Sequence, residues 1–287
     1  MERLILGCGY LGRRVAARWR QQGDRVFATT RRPAQAEEFR ARGWEPIVCD
    51  VLDPASLRGL PAAATVLHCV GLDRSSGQSM REVYVTGLAN VLAALPPPDR
   101  FLYVSSTSVY GQVQGEEVDE AAATEPEEEA GQIVLQAERL LRERLPGAVV
   151  LRFAGIYGPG RLLRQKAIAA GEPLPADPER WLNLIQVDDG AAAVLAAAER
   201  GQAGAVYNVC DDRPVRRREF YALLARLLGA PPPRFAAPPP GAPLPPHERA
   251  NRRISNRRMH EALQVRLRYP TFEEGLRAAL STASDNF

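Results

Sequence analysis

The chain has 287 residues, 45% hydrophobic and 25% charged, the balance of a globular protein with room for one large core or a large core plus a small one. Its net charge is only +3, and the arginines alternate with apolar or acidic residues; NRRISNRR is the densest basic cluster, so no nucleic-acid partner is expected. No apolar run reaches the ~18 residues that cross a membrane, and no charged-then-apolar leader pattern opens the sequence, so a cytoplasmic location without membrane contact is expected.

In chain order, RLIL (3–6) is the first strand candidate, followed by a glycine loop and the helical pattern LGRRVAARWRQQ (11–22). RVFAT (25–29), EPIVC (45–49), TVLHCV (65–70), RFLYVSS (100–106) and AVVLRF (148–153) are further strands. Most are continuous rather than alternating, as expected for strands covered on both faces. Helices are predicted between them over 33–42, 54–60, 80–95 and 132–145. Repeated strand–helix units imply a parallel, doubly wound sheet with right-handed crossovers.

Beyond residue 153 the pattern loosens. RLLRQKAIAA (161–170) and DDGAAAVLAAAER (188–200) read as helices, AVYNV (205–209) as a strand and REFYALLARLLG (218–229) as a helix. Residues 230–248 hold nine prolines and read as a semi-extended connection. RRISNRRMHEALQ (252–264) and TFEEGLRAAL (271–280) are expected to close the chain as two short helices. Cys8, Cys49, Cys69 and Cys210 show no metal-ligand spacing, so reduced thiols and no metal site are expected.

ILGCGYLG places Gly7, Gly9 and Gly12 in a G-x-G-x-x-G pattern between a strand and a helix. Gly7 suits the tight turn, Gly9 lets the backbone approach a pyrophosphate, and Gly12 lets helix and sheet pack closely. The amides of Cys8, Tyr10 and Leu11 complete the loop at the helix N-terminus, where phosphates bind. An acidic residue about 20 positions on would hold the ribose hydroxyls of NAD. VFATTRRP offers Arg31 and Arg32 instead, which suit a 2′-phosphate. NADP is therefore the expected cofactor, ahead of NAD.

The motifs together resemble the extended short-chain dehydrogenase/reductase superfamily, the NAD-dependent epimerase/dehydratase group. The carriers are GCGYLG, CDVLD, HCVG, VSSTSVYG, LRFAGIYGPG and NLIQVDDGAAAV, spread over nearly the whole chain. The resemblance implies a Rossmann domain over 1–155 and a smaller C-terminal substrate lobe over 156–287, with 186–210 returning to the sheet. It implies Asp50 and Val51 beside the adenine, and His68, Cys69 and Val70 along the cofactor. It puts Ser106 in the place of the catalytic Ser/Thr, Phe153 and Ala154 near the nicotinamide, and Tyr157 at the start of the substrate lobe. A helix pair that often makes homodimers in this superfamily is present.

One departure from the pattern matters most. The superfamily carries Tyr-x-x-x-Lys on the helix after strand five; here those places hold Ala130 and Val134. The pattern resembles the atypical branch that keeps the cofactor fold and loses this pair. In the usual mechanism an ammonium lowers the phenol pKa from ~10 so that it can trade a proton. The sequence offers Tyr110, Tyr157, a loop glutamate (Glu127 to Glu129) or water in its stead. Lys166, the only lysine, falls in a later surface helix. Two readings follow: an NADP(H)-dependent oxidoreductase or epimerase-like enzyme on an unidentified small molecule, or a non-catalytic NADP(H) redox sensor that signals through a protein partner.

Overall fold

A computed structural model describes residues 1–236 and 246–281. Apolar strands and amphipathic helices alternate from the start: β1 (Glu2–Leu6), α1 (Gly12–Gln21), β2 (Arg25–Thr30), α2 (Pro33–Ala41), β3 (Glu45–Val48) and β4 (Thr65–His68). A π-helical turn (Glu82–Thr86) leads into α3 (Gly87–Ala94) and then β5 (Arg100–Ser106). A 3₁₀ turn (Thr107–Val109), β6 (Glu116–Val118), α4 (Glu129–Arg144) and β7 (Val149–Phe153) follow. The later chain gives β8 (Gly155–Tyr157), α5 (Gln165–Ala169), β9 (Trp181–Leu182), β10 (Leu184–Gln186), α6 (Val187–Arg200) and β11 (Val206–Val209). It closes with β12 (Val215–Arg216), α7 (Arg217–Leu227), α8 (Pro246–Arg249), β13 (Arg252–Ile254), α9 (Arg257–Leu263) and α10 (Phe272–Ser281).

The main sheet runs β11-β7-β5-β4-β1-β2-β3, with all seven strands parallel. It is a Rossmann sheet, and its order reverses direction between β1 and β4, the switch point where open α/β sheets bind ligands. Both faces are covered. Ile5 points with Val15, Trp19 and Phe39 toward α1, α2, α6 and α9, whereas Leu4 and Leu6 point with Leu88, Val91 and Leu141 toward α3 and α4. The period of two along β1 thus feeds both cores. A third cluster joins Tyr157, Leu174, Phe220 and Leu276 and forms the core of the smaller lobe.

Several expectations need correction. Residues 54–60 form turns, not a helix. The Asp53 carboxylate accepts the Ala55 N–H, and the Ser56 hydroxyl donates to the Asp50 and Asp53 carbonyls, so side chains capture the backbone that a helix would need. Arg252–Ile254 is a strand, paired in parallel with β6, and only Arg257–Leu263 of the segment is helical. The short pairs β8–β10, parallel, and β9–β12, antiparallel, join segments that no local sequence pattern marks as strands. Of the proline-rich stretch, residues 237–245 lie outside the described residues. Among the described residues no helix is long and apolar enough to cross a membrane.

Candidate functional site

A cleft of about 970 Å³ opens along the carboxyl ends of the strands. Its floor is the β1–α1 loop. Gly7 sits at φ +85°, and a Cβ there would lie 2.6 Å from the Val70 backbone, so this turn requires glycine. A Cβ at Gly12 would press within 2.9 Å of the Gly7 carbonyl, which is the close helix–sheet contact expected from the motif. At Gly9, by contrast, nothing lies within 4 Å of where a Cβ would stand. Gly9 faces open cleft beside the first turn of α1, a cradle suited to a pyrophosphate. These residues fit a dinucleotide.

The structure brings Gly7, Cys8, Gly9, Tyr10, Leu11, Arg31, Arg32, Asp50, Val51, Cys69, Val70, Ser106 and Phe153 together on the cleft wall. Gly12 lies just behind it. Arg31 leaves the end of β2 and donates to the Asp73 carboxylate at 3.3 Å and to the Gln78 side-chain amide oxygen Oε1 at 3.1 Å. Tyr10 donates its hydroxyl to the Pro159 carbonyl at 3.0 Å. Two guanidinium groups approach its ring, Arg14 at 4.3 Å and Arg161 at 5.4 Å from the centroid. Burial raises the Tyr10 pKa despite those two charges. Arg161 also lines the cleft, and among the described residues it has no carboxylate partner. The sequence reading missed it, because its place in the Gly158–Arg161 turn depends on the fold.

Ser106 ends β5 and caps the 3₁₀ turn, where its hydroxyl accepts the Ser108 N–H at 3.1 Å. Its own proton therefore remains available to a ligand. Opposite stands Val134, which lines the cleft; Ala130, one turn earlier on α4, does not. Neither can ionise. The cleft thiols are held protonated: burial pushes Cys8 up to about 12, Cys49 up to about 11, and Cys69 up as well. No thiolate nucleophile stands ready here at neutral pH.

Three candidates fall away from the cleft. His68 turns into the core between Phe101 and Tyr103, with ring centroids 6.2 and 5.4 Å away. The side-chain alternation of β4 sends it inward while Cys69 turns to the cleft. Tyr110 is buried: its hydroxyl donates to Asn208 at 2.8 Å and accepts from Arg152 at 3.0 Å. Tyr157 is fully buried in the lobe core, edge-on to Phe220 and against Gly275. Burial raises both phenols, and neither can reach a ligand. The loop glutamates are also absent from the cleft wall, and Glu128 pairs with Arg249 at 3.1 Å. Lys166 is exposed on α5. The four cysteines form no disulfide, and no metal-binding cluster occurs among the described residues.

The NAD dependent epimerase/dehydratase family matches residues 4–210. The chain belongs to this family. "Protein YeeZ" of Escherichia coli K12 is 32% identical over 248 residues, spanning 80% of this chain and 85% of that protein. A "3-diazoavenalumate denitrifying reductase" of a Streptomyces species is 29% identical, spanning 82% of this chain and 84% of the relative. A "4-hydroxy-2-methyl-3-oxo-4-farnesyl-3,4-dihydroquinoline-1-oxide ketoreductase" of Stigmatella aurantiaca is 30% identical, spanning 78% and 72%. The family and these relatives make the chain a member of a group of NAD(P)-dependent oxidoreductases and epimerases.

Proposed function

We propose that the chain is an NADP(H)-dependent reductase that reduces a carbonyl group of a small molecule. The observation that carries the cofactor choice is the pair Arg31 and Arg32 on the cleft wall at the end of β2, a strand end that carries no acidic residue of its own. The names of two relatives as a reductase and a ketoreductase support the reaction class. When bound, the nicotinamide supplies a hydride. The chain itself supplies a phosphate cradle at Gly9, guanidinium groups for the 2′-phosphate, and the Ser106 hydroxyl to donate a hydrogen bond to the substrate carbonyl oxygen.

A 2′-phosphate has to displace Asp73 from Arg31. That pair is about one-third exposed, 36% and 35%, and such pairs are worth about 0–1 kcal/mol. A charge-assisted hydrogen bond to phosphate contributes roughly 1.5–3 kcal/mol. The phosphate wins, and NADPH should bind about tenfold or more tighter than NADH. Fluorescence titration of both cofactors against the wild type, Arg31→Ala and Arg32→Ala is the test. Equal affinities, or variants that keep the preference, would refute the assignment. The sensor reading forecasts binding with no NADPH oxidation by any carbonyl compound, so an oxidation screen separates the two.

A further inference from the structure

The reductase reading leaves the proton unassigned, since Ala130 and Val134 carry none. We propose that Tyr84 donates it, a role that rests on that reading. Three tyrosines line the cleft: Tyr10, Tyr84 and Tyr103. Tyr10 spends its proton on the Pro159 carbonyl. Tyr103 is 3% exposed, and burial, with the Glu138 carboxylate adding to it, raises its phenol far from neutrality. Tyr84 is placed differently. Its oxygen accepts the Leu72 N–H at 3.2 Å. A backbone N–H can only donate, so this bond fixes the phenol oxygen and leaves its own proton free for a ligand.

Local structure explains how a residue so far from α4 reaches this place. Tyr84 sits inside the π-helical turn Glu82–Thr86. Such a turn inserts one residue and advances the side chains by about 100° relative to a regular helix, and it recurs at functional sites. Here Val83 and Tyr84 both meet the cleft. The Tyr84 ring packs against the core that holds Tyr103 and also against the cluster that holds Val134 and Leu135. It therefore stands beside the face of α4 that lost its ionisable pair. Ser106, Phe153 and Val134 share the same cleft wall.

The step balances without another reactant. The carbonyl carbon takes a hydride, with its two electrons, from the reduced nicotinamide. The carbonyl π pair moves to oxygen. The Tyr84 Oη–H bond breaks, its proton forms the new O–H, and the products are an alcohol and the oxidised cofactor. Water then reprotonates Tyr84. Ser106 hydrogen-bonds the same oxygen throughout.

Tyr84→Phe keeps the ring and removes only the oxygen. The experiment follows NADPH oxidation by 9,10-phenanthrenequinone and by a panel of aliphatic and aromatic ketones. Turnover should fall by about 10²–10⁴, as for the loss of a general acid. The NADPH Kd, read by fluorescence, should stay within about twofold. Exchange of the Leu72 amide should quicken, which reports the lost bond independently of activity. A variant that keeps kcat within about threefold, beside an active wild type, overturns the role and leaves the reductase reading standing. A wild type that oxidises no NADPH with any of these carbonyls overturns the reading and the role with it. A large loss of NADPH affinity in the variant also overturns the role, because it makes Tyr84 a cofactor contact.

Discussion

His68 carries a ring nitrogen into the core without a partner: Nε2 is buried and forms no hydrogen bond. Burial depresses its pKa from 6.5 to about 4. The imidazole is thus neutral in the fold at pH 7. Between pH 6.5 and 4 the unfolded chain binds more protons than the folded one. Stability is fully present above pH 6.5 and is lost as pH falls toward 4. A depression of this size corresponds to roughly 3 kcal/mol. His68→Leu removes the titration and the unpartnered nitrogen together. Denaturant unfolding at pH 7.5 and 4.5 should show the variant losing roughly 2–3 kcal/mol less than the wild type across that interval. Equal losses would show that the ring finds a partner or water that its present surroundings do not provide.

The elements differ in how far the sequence reveals them. β1, β2, β4, β5 and β7 were readable because each is a short apolar run covered by helices on both faces. β6 and β13 are three residues each, and EEV and RRI pair only because distant parts of the chain meet, so no local pattern announces them. Sites followed the same division. The glycine loop and the arginines after β2 were legible because backbone and position define them. Tyr110 and Tyr157 follow strand ends in sequence but are buried away from the cleft, because closeness to a strand end does not give side-chain direction. The 3₁₀ turn Thr107–Val109 carries the chain round and sends Tyr110 into the core. Tyr84 escaped notice because its exposure depends on a π turn that its sequence, EVYVT, does not advertise.

Gly131 shows how tightly one element sets another. A Cβ there would collide with the Ser108 carbonyl and stand 2.6 Å from the Pro126 ring. The first turn of α4 therefore rests directly on the turn that Ser106 caps. Gly131→Ala adds a methyl group where no space exists, and overpacking of this kind costs about 1–3 kcal/mol. It should lower thermal stability and, by displacing the Ser106 turn, reduce kcat while leaving NADPH affinity unchanged. Calorimetry with single-variant kinetics is the check. A variant as stable as the wild type would mean that α4 moves freely against that turn.

At the scale of the whole molecule, the late chain returns to brace the site. β13 pairs with β6, and Arg252 at its start reaches under the Ser106 turn. Its guanidinium donates to the Thr107 and Gln112 carbonyls, each at 3.1 Å. The side chain is 7% exposed, and among the described residues it has no ion-pair partner. Burial lowers its pKa to about 10, so it still carries its charge at neutral pH. Asn183 bonds the Arg252 carbonyl and the Ile254 N–H and so fixes the same strand from the β9–β10 side. Arg252→Met would leave two partly buried acceptors unpaired, at up to about 1–3 kcal/mol each, while relieving a desolvated charge. The opposing effects leave a net loss of about 2 kcal/mol. If the smaller lobe braces the site through this strand, the variant should also lower kcat/KM for the carbonyl probe and leave NADPH binding within about twofold, because the cradle at Gly9 lies at the far side of β4. Arg252→Lys, with one charge and no fork, should restore stability only in part. A variant that unfolds at the wild-type midpoint would show that the lobe is held by its apolar core alone. A loss confined to NADPH affinity would show that the strand supports the cofactor and not the Ser106 turn.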